Sequence, residues 1–222
     1  MNTYRVISFY RKPLQLSSEV FHEHMAQTIQ QVELLLSTNS MGCTYWQASI
    51  PILSQNQPSP YVDWVICYDF HHVAEATKWV QQLQNLSSSQ HLWWVGNTLH
   101  YLLKQTDFNR SLSVQVIRFA KKSDHLSPEQ FRDYWRLNHA PIAIESPFLQ
   151  QYEQLHLLTT PTTLEPDICD GFTLSSFQSL EDLTAHSQHP AGKTAALDTT
   201  HFLYPEPQPT VLTHITHQHF FN

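Results

Sequence analysis

One helical segment, from Phe131 to Pro141, concentrates the side chains of this chain that could perform chemistry. Phe131, Trp135 and His139 follow one another at intervals of four residues, so they share one face of a helix. Because Phe131 and Trp135 are large and apolar, this face should pack against a sheet, with His139 at its end, where a cavity would open. A histidine has an unperturbed pKa of about 6.5, which suits a general acid or base near neutral pH. The spacing indicates His139 as a candidate catalytic residue; the alternative is a histidine that stabilises the helix C-terminus.

The neighbouring face of the same helix carries Tyr134 and Asn138, which complete the candidate catalytic set. Hydrogen bonds from these side chains could orient a carbonyl or enolate oxygen of a substrate. For Asn138 the alternative is an ordinary polar helix end. Phe131 and Trp135 would form the apolar wall of the pocket, although a tryptophan in such a position is most often part of the core.

Two residues outside this helix are further candidates for the lining of the pocket. Asp170 opens a predicted strand and could be the carboxylate partner of His139. Asp63 opens the corresponding strand earlier in the chain, and this parallel favours a structural role in a turn. His156 lies at the end of another predicted strand and could face the cavity, but a shift of one residue would turn it to the other side.

The chain contains 15 histidines, which raises the question of a metal site. His214, His217 and His219 are close together near the C-terminus, yet no carboxylate or cysteine accompanies them. We therefore expect a solvated strand end and no metal site. The chain has only four glycines, so it lacks a glycine-rich phosphate loop, and we expect no dissociable nucleotide cofactor.

An internal repeat defines the elements that position these residues. Val6 to Phe9 recurs as Val116 to Phe119, and Leu16 to Phe21 recurs as Leu126 to Phe131, both at an offset of 110 residues. A later strand, Asp63 to Phe70, recurs at an offset of 107. A repeat of this length indicates two homologous modules, which we place at residues 1–108 and 109–222. The first module lacks a counterpart of the sequence His139-Ala140-Pro141 of the second.

Each module shows the same order of predicted elements: strand, helix, strand, strand, helix, strand. This order is the ferredoxin-like βαββαβ arrangement, and the fold class is α+β. We call the helix that contains Phe131, Trp135 and His139 the motif helix. A capping box at Ser127 to Gln130 marks its start, and Pro141 should end it near His139. The uncovered faces of two such sheets can pack together as in a dimeric α+β barrel, either within one chain or between the chains of a homodimer.

The composition excludes several classes of protein. The chain has 222 residues, of which 12 are Lys or Arg and 19 are Asp or Glu, and its formal net charge is −7. An acidic balance without a basic patch argues against a nucleic-acid partner. No apolar run is long enough for a membrane span, and no signal peptide is evident. Three widely spaced cysteines indicate a reducing compartment, so we expect a cytoplasmic protein.

The residues from Phe131 to Pro141 resemble the helix signature of the EthD-domain family, in which a Trp-Arg pair leads to His-Ala-Pro. The Asp170-Gly171 step and the segment from Ala195 to Leu203 resemble further parts of that family, and the resemblance covers Ser113 to His214. It implies a module of the dimeric α+β barrel group whose barrel interior binds small organic molecules. Relatives in this group include cofactor-free monooxygenases, isomerases, cyclases and haem enzymes.

The resemblance implies an enzyme that acts on a cyclic or aromatic organic compound, by proton transfer or by oxidation. It could be an oxidoreductase, lyase or isomerase without a cofactor, with His139 as acid or base. Three alternatives stay open: a non-catalytic binding protein that serves a catabolic oxygenase system, a haem-binding barrel with His139 as axial ligand, and a purely structural module.

Overall fold

The computed structural model describes residues 3–37, 43–51, 62–86, 92–107, 113–158 and 169–220. Contacts between residues divide the chain into two compact units, one of Met1–Leu99, Leu158–Pro166 and Thr216–Asn222, the other of His100–Leu157 and Asp167–Ile215. The predicted boundary at residues 108 and 109 lies outside the described residues. No helix of the described ranges is long and apolar enough to cross a membrane.

The first unit contains the predicted βαββαβ order. Its elements are β1 (Thr3–Tyr10), α1 (Ser18–Ser37), β2 (Cys43–Pro51), β3 (Trp64–Phe70), α2 (Val73–Leu86) and the start of β4 (Leu92–Gln105). β3 pairs antiparallel with both β1 and β2. The Thr98 hydroxyl donates to the Arg5 carbonyl at 2.8 Å, which joins β4 to β1. The apolar face of α1 covers this sheet with Phe21, Met25 and Ile29, all buried.

The second unit repeats this order with added helical turns. Its elements are β5 (Val114–Ala120), α3 (Pro128–Tyr134), a π-helical turn (Trp135–His139), α4 (Ala140–Ala143), β6 (Leu149–Leu157), β7 (Gly171–Phe177), α5 (Leu180–Gln188), α6 (Pro190–Asp198), a 3₁₀ turn (Thr199–His201) and the start of β8 (Thr210–Phe220). The strand order is β8-β5-β7-β6, and the three pairings are antiparallel. This is the ferredoxin-like order.

Equivalent hydrogen bonds in the two units support the internal repeat. The Lys12 backbone N–H donates to Asp63 Oδ2 at 2.7 Å, and the Lys122 N–H donates to Asp170 Oδ2 at 2.8 Å. The two donor residues are 110 residues apart and the two acceptor residues are 107 apart, which are the two offsets of the sequence repeat. Both aspartates therefore tie the loop after the first strand of a unit to the start of its third strand.

The motif helix begins as predicted but ends differently. Ser127 accepts from the Gln130 N–H, and the Gln130 side chain accepts from the Ser127 N–H, so the capping box is present. The prediction that Pro141 ends the helix near His139 is wrong, because α4 continues through Pro141 to Ala143. The π-helical turn widens the backbone just before the proline, which relieves the clash that a proline ring causes in a regular α-helix.

The helices of the second unit cover one face of its sheet. Val116 on β5, Tyr152 on β6 and Phe177 on β7 pack in one core cluster with Ala140 and with other helix residues. Side chains along a strand alternate between the two faces of the sheet. Arg118, two residues after Val116, therefore faces the helices as well.

Candidate functional site

A cavity of about 610 Å³ lies on the helix-covered side of the sheet of the second unit. Its wall comes from β5, β6, β7, the π-helical turn, α4, α5, α6, and the chain from Thr199 to the start of β8. The wall residues include Arg118, Trp135, His139, Tyr152, Thr173, Ser175, Leu183, His186, Phe202 and Thr210. The family resemblance implied a site in a barrel interior, which the opposite face of the sheet would form. The cavity instead lies where small side chains of β7 and α6 leave space between sheet and helices.

His139 lines this cavity, and the carboxylate of Asp198 orients its ring. His139 Nδ1 lies 2.8 Å from Asp198 Oδ2, and the two residues are 6% and 8% exposed. This hydrogen bond assigns the proton of the neutral imidazole to Nδ1, because a carboxylate can only accept. The other ring nitrogen, Nε2, has no hydrogen bond within the described part of the chain. It is therefore free to accept a proton or to bind a ligand.

The surroundings of His139 keep its imidazole neutral. Burial lowers the pKa of His139 below 6.5, and the positive charge of Arg118 acts in the same direction. The hydrogen bond and the charge of Asp198 raise this pKa and oppose the effect of burial. The net shift is downward, so His139 has an unprotonated Nε2 at neutral pH, as a general base requires.

Tyr134 holds the second oxygen of the same carboxylate. Its hydroxyl donates to Asp198 Oδ1 at 2.8 Å, and this hydrogen bond is the main reason that the pKa of Tyr134 is raised. The structure thus brings together two of the three predicted catalytic residues, Tyr134 and His139, through Asp198. Tyr134 acts on the aspartate, whereas the prediction placed it against a substrate.

Asn138, the third predicted catalytic residue, is exposed and is not part of the cavity wall. The prediction assumed a regular α-helix, in which Tyr134 and Asn138 share a face. The π-helical turn contains one extra residue per turn and breaks this register. Asn138 consequently faces solvent.

The predicted pocket-lining residues divide into one wall residue and three neighbours. Trp135 lines the cavity, and Phe131 packs behind it with a ring separation of 5.1 Å. His156 is also behind Trp135, at 4.6 Å, and its Nε2 lies 3.0 Å from Gln154 Oε1. Asp170 Oδ2 accepts a hydrogen bond from the Lys122 N–H. Phe131, His156 and Asp170 therefore belong to the support of the wall and not to its surface.

The sequence analysis missed two polar residues of the site, Asp198 and Arg118. Asp198 ends α6, 59 residues after His139, and the one signal for it was its place in the segment that resembles the EthD family. Arg118 stands in a strand of otherwise uncharged residues, Val114–Ala120. A charged residue at a helix-facing strand position was the signal that could have identified it.

The described residues contain no group of three or more His, Cys, Asp or Glu side chains that could hold a metal ion. His217 and His219, near the C-terminus, are exposed.

Comparisons with known proteins connect the site to a family. Residues 123–206 match the EthD domain. No curated protein matches the chain in sequence. An anthrone oxidase-like protein of known structure is similar over 99% of this chain and 93% of its own, with 10% identity and a TM-score of 0.64. Chlorite dismutase from Candidatus Nitrospira defluvii, solved in complex with imidazole, is similar over 97% and 91%, with 14% identity and a TM-score of 0.57.

These likenesses extend over nearly the whole chain and show its fold. They confirm the predicted α+β class and a fold of the dimeric α+β barrel type. The matched segment contains His139, Tyr134 and Asp198. Residues 123–206 of this chain thus resemble an EthD domain, and this segment provides the helix wall of the cavity.

Proposed function

We propose that the second unit is an enzyme site that removes a proton from a cyclic or aromatic organic compound, as the first step of its oxidation. The observation that carries this proposal is the His139–Asp198 pair, whose histidine lines a cavity. A histidine oriented by a buried carboxylate, with its second nitrogen free, is an arrangement that general-base catalysis uses.

The cavity supports a small organic substrate. Its volume of about 610 Å³ falls within the usual range for ligand sites, roughly 300–1,000 Å³. Trp135, Phe202 and Leu183 provide apolar wall area, and the ring of Phe202 lies 4.9 Å from that of His139. A flat, largely apolar ring system would be held beside the base by these side chains.

In the proposed first step, an acidic C–H or O–H of the substrate gives its proton to His139 Nε2. The imidazolium that forms is stabilised by Asp198, and Tyr134 keeps the other carboxylate oxygen in place. The substrate becomes a carbanion, enolate or phenolate that dioxygen can oxidise. For a methylene beside an aromatic ring, consumption of one O₂ gives a ketone and one water. The likeness to an anthrone oxidase-like protein supports this class of reaction.

Anthrone is a suitable probe, because one compound reports both steps. Exchange of its methylene protons for deuterium measures proton abstraction, and oxygen uptake with formation of anthraquinone measures oxidation. We expect the wild-type protein to accelerate exchange above the buffer rate. His139→Ala should reduce this acceleration by about 10²–10⁴-fold, the usual contribution of a general base. Asn138→Ala, a change at an exposed neighbour, should leave it unchanged.

Two outcomes would reject the catalytic proposal. One is exchange no faster than in buffer for anthrone and for related phenolic ring compounds. The other is equal acceleration by wild type and His139→Ala. Binding of these compounds without turnover, equal in both proteins, would instead support a ligand-binding accessory role.

Haem binding is a second candidate function, which the same geometry favours. A histidine with Nδ1 on a carboxylate and Nε2 free would suit a ligand of haem iron, and the carboxylate would strengthen its donor character. His139 would hold the iron, and the bound group would supply redox chemistry. The fold likeness to chlorite dismutase agrees with this alternative. Added haemin should then give a Soret band that is lost in His139→Ala and kept in Asn138→Ala; absence of the band would reject the alternative.

A further inference from the structure

The cavity wall contains a positive charge that the proposed proton transfer does not use. Arg118 lies on β5, and its guanidinium forms no hydrogen bond or ion pair among the described residues. Its side chain is accessible, yet enough protein surrounds it that burial lowers its pKa. Both observations fit a guanidinium at the wall of a cavity. An arginine remains protonated under these conditions and presents five N–H donors.

The strands beside Arg118 provide no counter-charge. Its partner in the sheet register is Thr173 on β7 and, on the other side, Thr210 on β8. Both threonines line the cavity, and the Thr173 hydroxyl has no hydrogen-bond partner within the described ranges. Among the described residues that line the cavity, Glu206 is the one with a carboxylate; it is exposed and forms no ion pair with Arg118.

The corresponding position of the first unit shows that the strand does not need an arginine. Ser8 stands there, at the offset of 110 residues, and it is fully buried. A serine thus fills this position where α1 packs closely on the sheet. The arginine occurs in the unit that has the cavity and the His139–Asp198 pair. This contrast indicates that Arg118 serves the cavity and not the fold.

We propose that Arg118 binds an oxyanion of the substrate, a carboxylate or a phenolate on its ring system. This inference rests on the proposed function and specifies its substrate class. The guanidinium would hold the anionic group at the strand wall with charge-assisted hydrogen bonds, while the reacting hydrogen lies beside His139 on the helix wall. The site would accordingly prefer anionic aromatic compounds to neutral ones of the same shape.

Isothermal titration calorimetry with 2-naphthoate and 2-naphthamide tests this preference, because the two bicyclic compounds match in shape and differ in charge. Wild type should bind 2-naphthoate at least about 10-fold more tightly, the usual minimum effect of hydrogen bonds to a charged group. Arg118→Gln should remove the preference. Arg118→Lys should retain part of it, and Arg132→Gln, which removes an exposed arginine of α3, should retain it fully.

Equal affinity of wild type for the two compounds would overturn the proposal, as would absence of 2-naphthoate binding or an undiminished preference in Arg118→Gln. The wild-type comparison decides the question even if Arg118→Gln does not fold. His139→Ala separates this inference from the catalytic one, because it should keep the preference for 2-naphthoate while it loses proton abstraction. Loss of the preference in His139→Ala would contradict the proposal that Arg118, on the strand wall, binds the anionic group independently of His139 on the helix wall.

Discussion

At the scale of single residues, Asp198 determines which nitrogen of His139 can react. Its two oxygens accept from His139 Nδ1 and from the Tyr134 hydroxyl, so its position is fixed from two elements. A carboxylate in this place selects one tautomer of the imidazole and stabilises the imidazolium that follows proton abstraction. The site therefore depends on Asp198 as much as on the histidine.

Asp198→Asn should reduce proton abstraction from anthrone by about 10²–10⁴-fold, because an amide can donate to Nδ1 and favour the wrong tautomer. Tyr134→Phe should have a smaller effect, below about 10-fold, since the His139 hydrogen bond remains. Deuterium exchange of the anthrone methylene measures both variants. Wild-type exchange rates in Asp198→Asn would show that the aspartate has only a structural role.

His139 could be predicted from sequence because the spacing of Phe131, Trp135 and His139 requires only local geometry. Asp198 and Arg118 could not, because tertiary contacts bring them to the site from distant elements. Asn138 was placed wrongly for a local reason, since the π-helical turn changes the register of the helix face. Such a turn leaves no simple signature in residue types.

At the scale of elements, Gly171 allows the motif helix to approach the sheet. A Cβ atom at this position would clash with the Leu155 carbonyl oxygen and would lie 2.7 Å from the Trp135 ring. The start of β7 must therefore lack a side chain if Trp135 is to form the cavity wall. The Asp170-Gly171 step of the sequence thus has two separate roles, a loop hydrogen bond and a close approach.

Gly171→Ala should lower the free energy of unfolding by about 1–3 kcal/mol and weaken 2-naphthoate binding, because Trp135 must move. Ser127→Ala is a suitable control. Loss of the helix cap should lower stability by about 1 kcal/mol without an effect on binding. Chemical denaturation and calorimetry provide the two readings. Unchanged affinity in Gly171→Ala would contradict the role given to this close approach.

Element starts were easier to predict than element ends. The Ser127 capping box and the strand order follow from local residue types and from the repeat, and the structure contains both. The continuation of the helix through Pro141 depends on the preceding π-helical turn. It therefore could not be inferred from the proline alone.

At the scale of the whole molecule, the two units use equivalent positions differently. Ile29, Tyr68 and Trp79 of the first unit correspond to His139, Ser175 and His186 of the second. Tyr68 and Trp79 are fully buried, with their rings in contact at 5.3 Å. Smaller side chains at the matching positions of the second unit leave the space that the cavity occupies. The first unit therefore has a filled core at these positions, and the second unit has the cavity that His139 lines.

Ser175→Tyr should fill the cavity with the residue that the first unit has at this position. We expect 2-naphthoate affinity to fall at least about 10-fold, while overpacking costs about 1–3 kcal/mol of stability. Thr184→Tyr, an exposed change on α5, should leave affinity unchanged. Retained affinity in Ser175→Tyr would place the ligand elsewhere.

Acid should destabilise the protein through its buried histidines. Burial lowers the pKa of His156 to about 3 and that of His186 to about 4, and it lowers that of His139. Below pH 6.5 the unfolded chain binds protons that the folded chain excludes, so stability falls as pH falls. For His156 alone, the loss between pH 6.5 and about pH 4.5 is about 2 kcal/mol. His156→Gln should flatten this dependence in urea unfolding; an unchanged slope would contradict it.

The central claim is that His139 presents an unprotonated Nε2 to the cavity at neutral pH. Nitrogen-15 NMR of the histidine side chains, with His139→Ala for assignment, tests it without a known substrate. We predict a neutral His139 with its proton on Nδ1, a pKa below 6.5, and loss of this tautomer preference in Asp198→Asn. A His139 that is protonated at neutral pH, or that carries its proton on Nε2, would contradict the account.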